Sequence, residues 1–142
     1  MKAFVLPVRV YYEDTDSGGV VYHANYIKFM ERARTEWLRH VGFSQQELKD
    51  QTGVVFAVRT IQIDYHLPAR LDDSLSVGVE LIRQKRASLE FLQQVWRDEE
   101  LLVAATVRIA CIDQQRFRAV PIPAVIAEQI ESITLDGLAA DK

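Results

Sequence analysis

Apolar residues return every three or four positions between Tyr26 and Val41. Ile27, Met30, Ala33, Trp37 and Val41 make one stripe, which predicts an amphipathic helix. Lys28, Glu31, Arg32, Arg34, Glu36 and Arg39 fall mostly on its other side, and Gly42 supplies a left-handed stop. Asn25 stands where a side chain caps the first backbone N–H groups. Elsewhere the period is closer to two. Val5 to Tyr12 alternates loosely and is rich in β-branched and aromatic residues, so it reads as a first strand. Ser44, with Glu47 three places on, is a capping box that opens a second, short helix ending at Thr52-Gly53. Val54 to Leu67 is β-rich, with Ile61, Ile63, Tyr65 and Leu67 on one face, until Pro68 and Asp72-Asp73 interrupt.

Three strands follow at hairpin spacing. Leu75, Val77, Val79 and Leu81 alternate with polar or small partners. Gln84-Lys85-Arg86 turns the chain into Ser88 to Arg97, and Asp98-Glu99-Glu100 turns it again. The nearly unbroken apolar run from Leu101 to Ile112 predicts a central strand covered on both faces. Gln114 to Arg118 leads out of the sheet, and Pro121 and Pro123 precede a short terminal helix from Ala124 to about Ile130. The last stretch, 135–142, is expected to be a flexible tail. One long helix and then a run of antiparallel strands predicts an α+β fold, with the helix laid across one sheet face. With no linker, repeat or low-complexity segment, 1–142 reads as a single domain.

Composition narrows the class. A hydrophobic content of 49% with 26% charged residues is that of a soluble globular protein. The net charge of −3 argues against general nucleic-acid binding and offers no basic footprint for a membrane surface. No apolar run approaches the ~20 residues of a membrane span. The opening Met1 to Pro7 has too short an apolar core for a signal peptide, so the expected location is cytoplasmic. A single cysteine, Cys111, rules out an internal disulfide. Lying in an apolar strand, it reads as a buried, inert thiol.

Polar chemistry is concentrated in Asp14-Thr15-Asp16-Ser17-Gly18-Gly19 and at His23, just ahead of the long helix. Backbone donors point outward at a helix N-terminus and favour negative charge there. Asp16, ionised at neutral pH, is the candidate base or nucleophile; its other reading is a residue that caps or solvates the turn. His23 is placed to shuttle a proton or orient Asp16, or else to hydrogen-bond across the loop. Gly18 and Gly19 allow a substrate to approach the backbone, or simply make the turn tight. Tyr22 and Tyr26 are candidates to line a substrate pocket, against the plainer reading of core aromatics. Asp14 and Asp16 form D-x-D, yet a divalent cation wants more oxygen ligands than this stretch offers, and no metal is expected. Ser17 and Ser44 sit in no G-x-S-x-G elbow.

The run Y-x-D-T-D-x-G-G-V-V-Y-H-x-N-Y from Tyr12 to Tyr26, followed by E-R-A-R-T-E, resembles the hot-dog thioesterases of the 4-hydroxybenzoyl-CoA thioesterase type. Within them it is most similar to the acyl-CoA thioesterases encoded with the bacterial Tol-Pal cell-envelope system, from about Val8 to about Glu128. The resemblance implies a hot-dog fold, a five-stranded antiparallel sheet wrapped around one long helix. It implies a hydrolase acting on acyl-CoA, and by extension on acyl carrier protein thioesters, with Asp16 as nucleophile or general base and His23 assisting. Substrate contacts fall to Gly19, Tyr22 and Tyr26. Taken singly, Lys85, Arg86, Arg116 and Arg118 read as solvated surface charges; the resemblance implies that they meet the phosphates of coenzyme A, which is part of the substrate, so no separate cofactor is implied. It also implies a homo-oligomer, a dimer or a homotetramer built as a dimer of dimers, with active sites at the subunit boundary, and association with acyl carrier protein or the Tol-Pal machinery. Two rivals remain: a hot-dog hydratase or dehydratase, and a non-catalytic module that binds acyl-CoA or acyl carrier protein.

Overall fold

Phe29, Met30, Ala33, Trp37, Leu38 and Val41 are all buried, and they define the face by which helix α1 (Asn25–Val41) lies against a curled antiparallel sheet. The computed structural model describes residues 4–140, with side chains through 134. Five long strands, β1 (Phe4–Arg9), β2 (Val54–Tyr65), β3 (Ser74–Gln84), β4 (Ser88–Arg97) and β5 (Glu100–Asp113), are arranged in the order β1-β3-β4-β5-β2. A two-residue strand, β6 (Arg118–Ala119), pairs with the end of β5. The inward residues of β3 and β4, Leu75, Val77, Val79, Leu89, Phe91 and Val95, are buried beneath the helix. The Trp37 and Phe91 rings meet edge-on with centroids 5.0 Å apart, the geometry that aromatic quadrupoles favour.

Several expectations are met. Gly42 ends α1 in the left-handed region at φ 118°, and Gly53 does the same for α2 (Gln45–Thr52) at φ 71°. The Ser44 hydroxyl accepts from the Glu47 N–H at 3.2 Å, so α2 is capped as its sequence indicates. Others are corrected. The first strand stops at Arg9, and Tyr12–Asp14 forms a 3-10 turn instead. The reason is Asp14, whose buried carboxylate accepts from the Tyr11 N–H at 2.8 Å and draws the chain out of the sheet. β5 lies between β4 and β2, but its outward residues Ala104, Thr106 and Arg108 are only half-covered. The terminal helix α3 (Ala124–Ala140) is longer than the sequence suggests. Ile126, Ile130 and Ile133, three and four apart, pack against the core and carry the helix past Ile130. The expected tail is therefore helical in backbone to Ala140, and 141–142 lie outside the described residues.

The loop from Tyr65 to Ser74 carries the short segment before α1. The Val21 N–H donates to the Ala69 carbonyl, Val20 bridges Arg70, and Val10 and Asp73 are joined through main chain. Arg97 clamps this loop, donating to Asp73 Oδ2 at 2.8 Å and to the Pro68 carbonyl at 3.2 Å. Burial alone pushes the Asp73 carboxyl up, but hydrogen bonds from Arg97 and the Arg70 N–H, with both cations nearby, carry it below its ordinary value. A lowered carboxyl stabilises the fold above its unfolded value and loses that contribution as pH falls through the folded one. Thermal unfolding of wild type and Asp73→Asn should therefore differ at neutral pH and converge below about pH 4. A gap that persists in acid would contradict the assignment.

Candidate active site

Asp14 and Asp16 are two residues apart and face opposite ways. Asp14 is 6% exposed, and its carboxylate accepts from the Tyr11 N–H and from Asn25 Nδ2 at 3.0 Å. Its own carbonyl accepts from the Tyr22 N–H at 2.9 Å. Asn25 is thus not the helix cap that the sequence suggests: its amide donates to Asp14, and Ala24 occupies the cap position without a capping side chain. The helix begins one residue sooner, with Ala24 at the cap, and the Asn25 amide nitrogen donates to the charged Asp14 acceptor instead.

Asp16 is exposed. Its Oδ1 accepts from the Gly18 N–H at 2.8 Å, and the main chain closes a tight turn, Asp16 N–H to the Val20 carbonyl and Gly19 N–H to the Asp16 carbonyl. Gly19 has φ 81°, where a side chain is strained, and a Cβ at Gly18 would stand 3.2 Å from Asp16 Oδ1. A side chain at either glycine would thus disturb this turn; the turn-capping reading of Asp16 is met, and its carboxylate is left exposed.

His23 is exposed and stacked obliquely on Tyr22, with ring centroids 4.5 Å apart. Its carbonyl accepts from the Tyr65 hydroxyl at 2.9 Å. Among the described residues, the N–H groups of His23 and Ala24 meet no acceptor. A pair of unengaged donors ahead of a helix is the arrangement that holds an oxyanion. Tyr26 is buried, and its hydroxyl accepts from the Ala69 N–H at 2.9 Å. Burial raises the Tyr26 phenol, partly offset by that hydrogen bond. Tyr26 still forms the floor of a shallow cavity of about 300 Å³ with His23, Tyr65, Leu67 and Pro68, whereas the exposed Tyr22 stands outside it. Tyr65 is the residue that sequence reasoning missed. Its place in the strand pattern resembled that of Ile63, but β2 outruns the core at that end and leaves it exposed.

The cations do not join this group within one protomer. Lys85 and Arg86 follow the far end of β3, and Arg116 and Arg118 follow the far end of β5. The two sets are near each other, since the Ile122 N–H donates to the Arg86 carbonyl at 2.8 Å and Cys111 links Ala87 to Val120. His23 and Asp16 lie at the opposite end, beside Tyr65 and Arg70. β2 alone, at 12 residues, separates those ends by roughly 36 Å if fully extended. All four cations are exposed, and among the described residues Arg116 has a carboxylate within 4 Å, that of Asp113 at 4.0 Å.

Among the described residues, no three His, Cys, Asp or Glu side chains converge on a point that could hold a metal, and no helix is long and apolar enough to cross a membrane. Cys111 is buried, and burial pushes its thiol up to about 11.

Residues 10–130 match the thioesterase-like superfamily. The chain belongs to that family. The chain is 49% identical over 122 residues to an acyl-CoA thioesterase YbgC of Haemophilus influenzae, covering 86% of this chain and 90% of that one. To the acyl-CoA thioester hydrolase YbgC of Escherichia coli it is 48% identical over 127 residues, covering 88% and 94%. A probable thioesterase from Bartonella henselae has a crystal structure that superposes with a TM-score of 0.81 at 35% identity, over 86% of this chain and all of that one. For a thioesterase-like chain the fold expectation is met: this is a hot-dog fold, with the sheet curled around α1.

Proposed function

We propose that the protein is an acyl-CoA thioesterase whose Asp16 meets the thioester at the mouth of α1. The observation that supports this best is an exposed carboxylate in the turn that leads toward α1, followed within a few residues by the unengaged N–H groups of His23 and Ala24 just ahead of the helix. The relatives named as acyl-CoA thioesterases support the reaction class. The donors take the thioester oxygen as negative charge develops on it. Asp16 either attacks the carbonyl carbon directly, expelling the thiolate and leaving a mixed anhydride that water then opens, or draws a proton from the attacking water. His23 supplies the proton to the departing thiolate. In both routes one thioester and one water become one acid and one thiol, with no separate cofactor.

The site is built from two copies of the chain. β2 is an edge strand whose outer side carries no strand among the described residues, and a 12-residue exposed edge is a template for pairing. Antiparallel pairing of two β2 edges about a two-fold axis places Tyr65 and His23 of one copy beside Val54 of the other. There the Gln114 N–H bonds the Gly53 carbonyl, and the turn bearing Arg116 and Arg118 begins. The cations that are remote within one protomer thus come to the Asp16 of its neighbour, ready for the coenzyme A phosphates. A dimer of such dimers, cytoplasmic residence, action on acyl carrier protein thioesters and association with the Tol-Pal machinery accompany this reading as further proposals.

Incubation with saturated and 2,3-unsaturated acyl-CoAs tests the reaction class. The expected result is thiol release from both. Hydration of the enoyl-CoA without thiol release would make the protein a hydratase, and tight binding without turnover would make it a binding module.

A further inference from the structure

Arg34 is 8% exposed, yet among the described residues no carboxylate bonds it. Its Nη1 donates to Gln93 Oε1 at 2.9 Å, and Gln93, fully buried, donates through Nε2 to the Met30 carbonyl at 3.0 Å. Among the described residues, the side chain that hydrogen-bonds the guanidinium is thus a neutral amide. A buried cation without a counter-ion is costly, and evolution has many ways to replace one with an apolar residue of similar volume. Burial lowers the Arg34 guanidinium, and Glu31 opposes that through its charge alone. Glu31 is exposed, so water screens most of its effect.

Arg34 lines a cavity of about 260 Å³ between α1 and the β2 end of the sheet. Trp37, Phe56, Leu89, Phe91 and Ile109 form its walls, and Glu31, Gln45 and Val58 lie toward its exposed side. Apolar walls around one fixed donor group are the usual make-up of a small-ligand site, and the volume suits a short group. The exposed side faces the β2 edge, where the proposed second copy would bring its own Asp16.

We propose that this cavity receives the acyl portion of the substrate and that Arg34 makes it selective for short acyl groups ending in a carboxylate, the half-thioesters of dicarboxylic acids. A terminal carboxylate gives the guanidinium the counter-ion it lacks, in the two-pronged geometry that arginine favours. It meets that charge in an apolar cavity, where the attraction is least weakened by water. This rests on the thioesterase reading.

The test compares glutaryl-CoA with pentanoyl-CoA, equal in chain length, for wild type, Arg34→Met and Gln93→Glu. The last variant is nearly isosteric and gives Arg34 a permanent internal counter-ion, so it keeps the arginine while removing its need for a substrate carboxylate. Wild type should favour glutaryl-CoA at least tenfold in kcat/KM, and both variants should lose that preference. A purely structural Arg34 would shift both substrates equally, and a ratio of one in wild type, or an unchanged ratio in both variants, would overturn the inference. Thermal shift with free glutarate reads the cavity without turnover. Glutarate should raise the wild-type melting temperature and leave that of Gln93→Glu unmoved. If glutarate stabilises the protein but no thioester is cleaved, the thioesterase reading fails and the carboxylate site stands; cleavage without preference or glutarate shift has the opposite meaning.

Discussion

Asp16→Asn should release thiol from acyl-CoA at least about 100-fold more slowly than wild type, with its melting transition unmoved. The two halves of that expectation have separate causes. The hydrogen bond received by the Asp16 side chain comes from the Gly18 N–H to Oδ1, and an asparagine Oδ1 accepts it equally well. The side chain is exposed, so the substitution leaves no buried group unpaired. What the amide cannot do is attack a carbonyl carbon or take a proton from water. Loss of a positioned general base typically removes about 10²–10⁴ in rate, and loss of a nucleophile removes more. Single-turnover hydrolysis in 18O-water tests the anhydride route, because label enters the Asp16 carboxyl only when water opens an anhydride at the aspartyl carbon. Full activity in a folded Asp16→Asn would end the assignment.

Asp14→Ala should destabilise the protein by about 1–3 kcal/mol and remove activity as well, since truncation takes the acceptor from two part-buried donors, which water can reach in part. Those donors are the Tyr11 N–H and the Asn25 amide, which together tie the end of β1 to the start of α1. Without that tie, the turn carrying Asp16 and His23 is held by the main-chain bridges to Ala69 and Arg70. Urea unfolding measures the first effect and thiol release the second. Asp14→Asn, which keeps one acceptor for Asn25, should lose less of both. Equal stability of Asp14→Ala and wild type would show that the carboxylate is not the anchor described.

The sequence made the long helix and the hairpin strands legible because each shows one clean period against one buried face. The capping glycines were legible for a similar reason, since positive φ at Gly42 and Gly53 is a local demand. Asn25 misled because the helix begins one residue sooner, and its amide nitrogen is held by a buried carboxylate eleven residues earlier. Arg34 was grouped with the outward charges of α1, although it stands four residues after Met30 and three before Trp37, on the same side as both. That spacing was the available signal. The separation of Asp16 from Arg118 was not legible at all. It depends on which end of each strand a turn occupies once the sheet order is β1-β3-β4-β5-β2, and no local pattern encodes that order.

Co-expression of two defective chains probes the shared site most directly. One chain carries Asp16→Asn, and the other carries Arg86→Ala, Arg116→Ala and Arg118→Ala. Each homodimer should be nearly inactive toward acyl-CoA. In the purified heterodimer, one site combines both defects and the other joins an intact Asp16 to intact cations, so about half of wild-type activity should return. A heterodimer as inactive as its parents would contradict the account, because it would mean that the carboxylate and the cations it works with belong to the same chain.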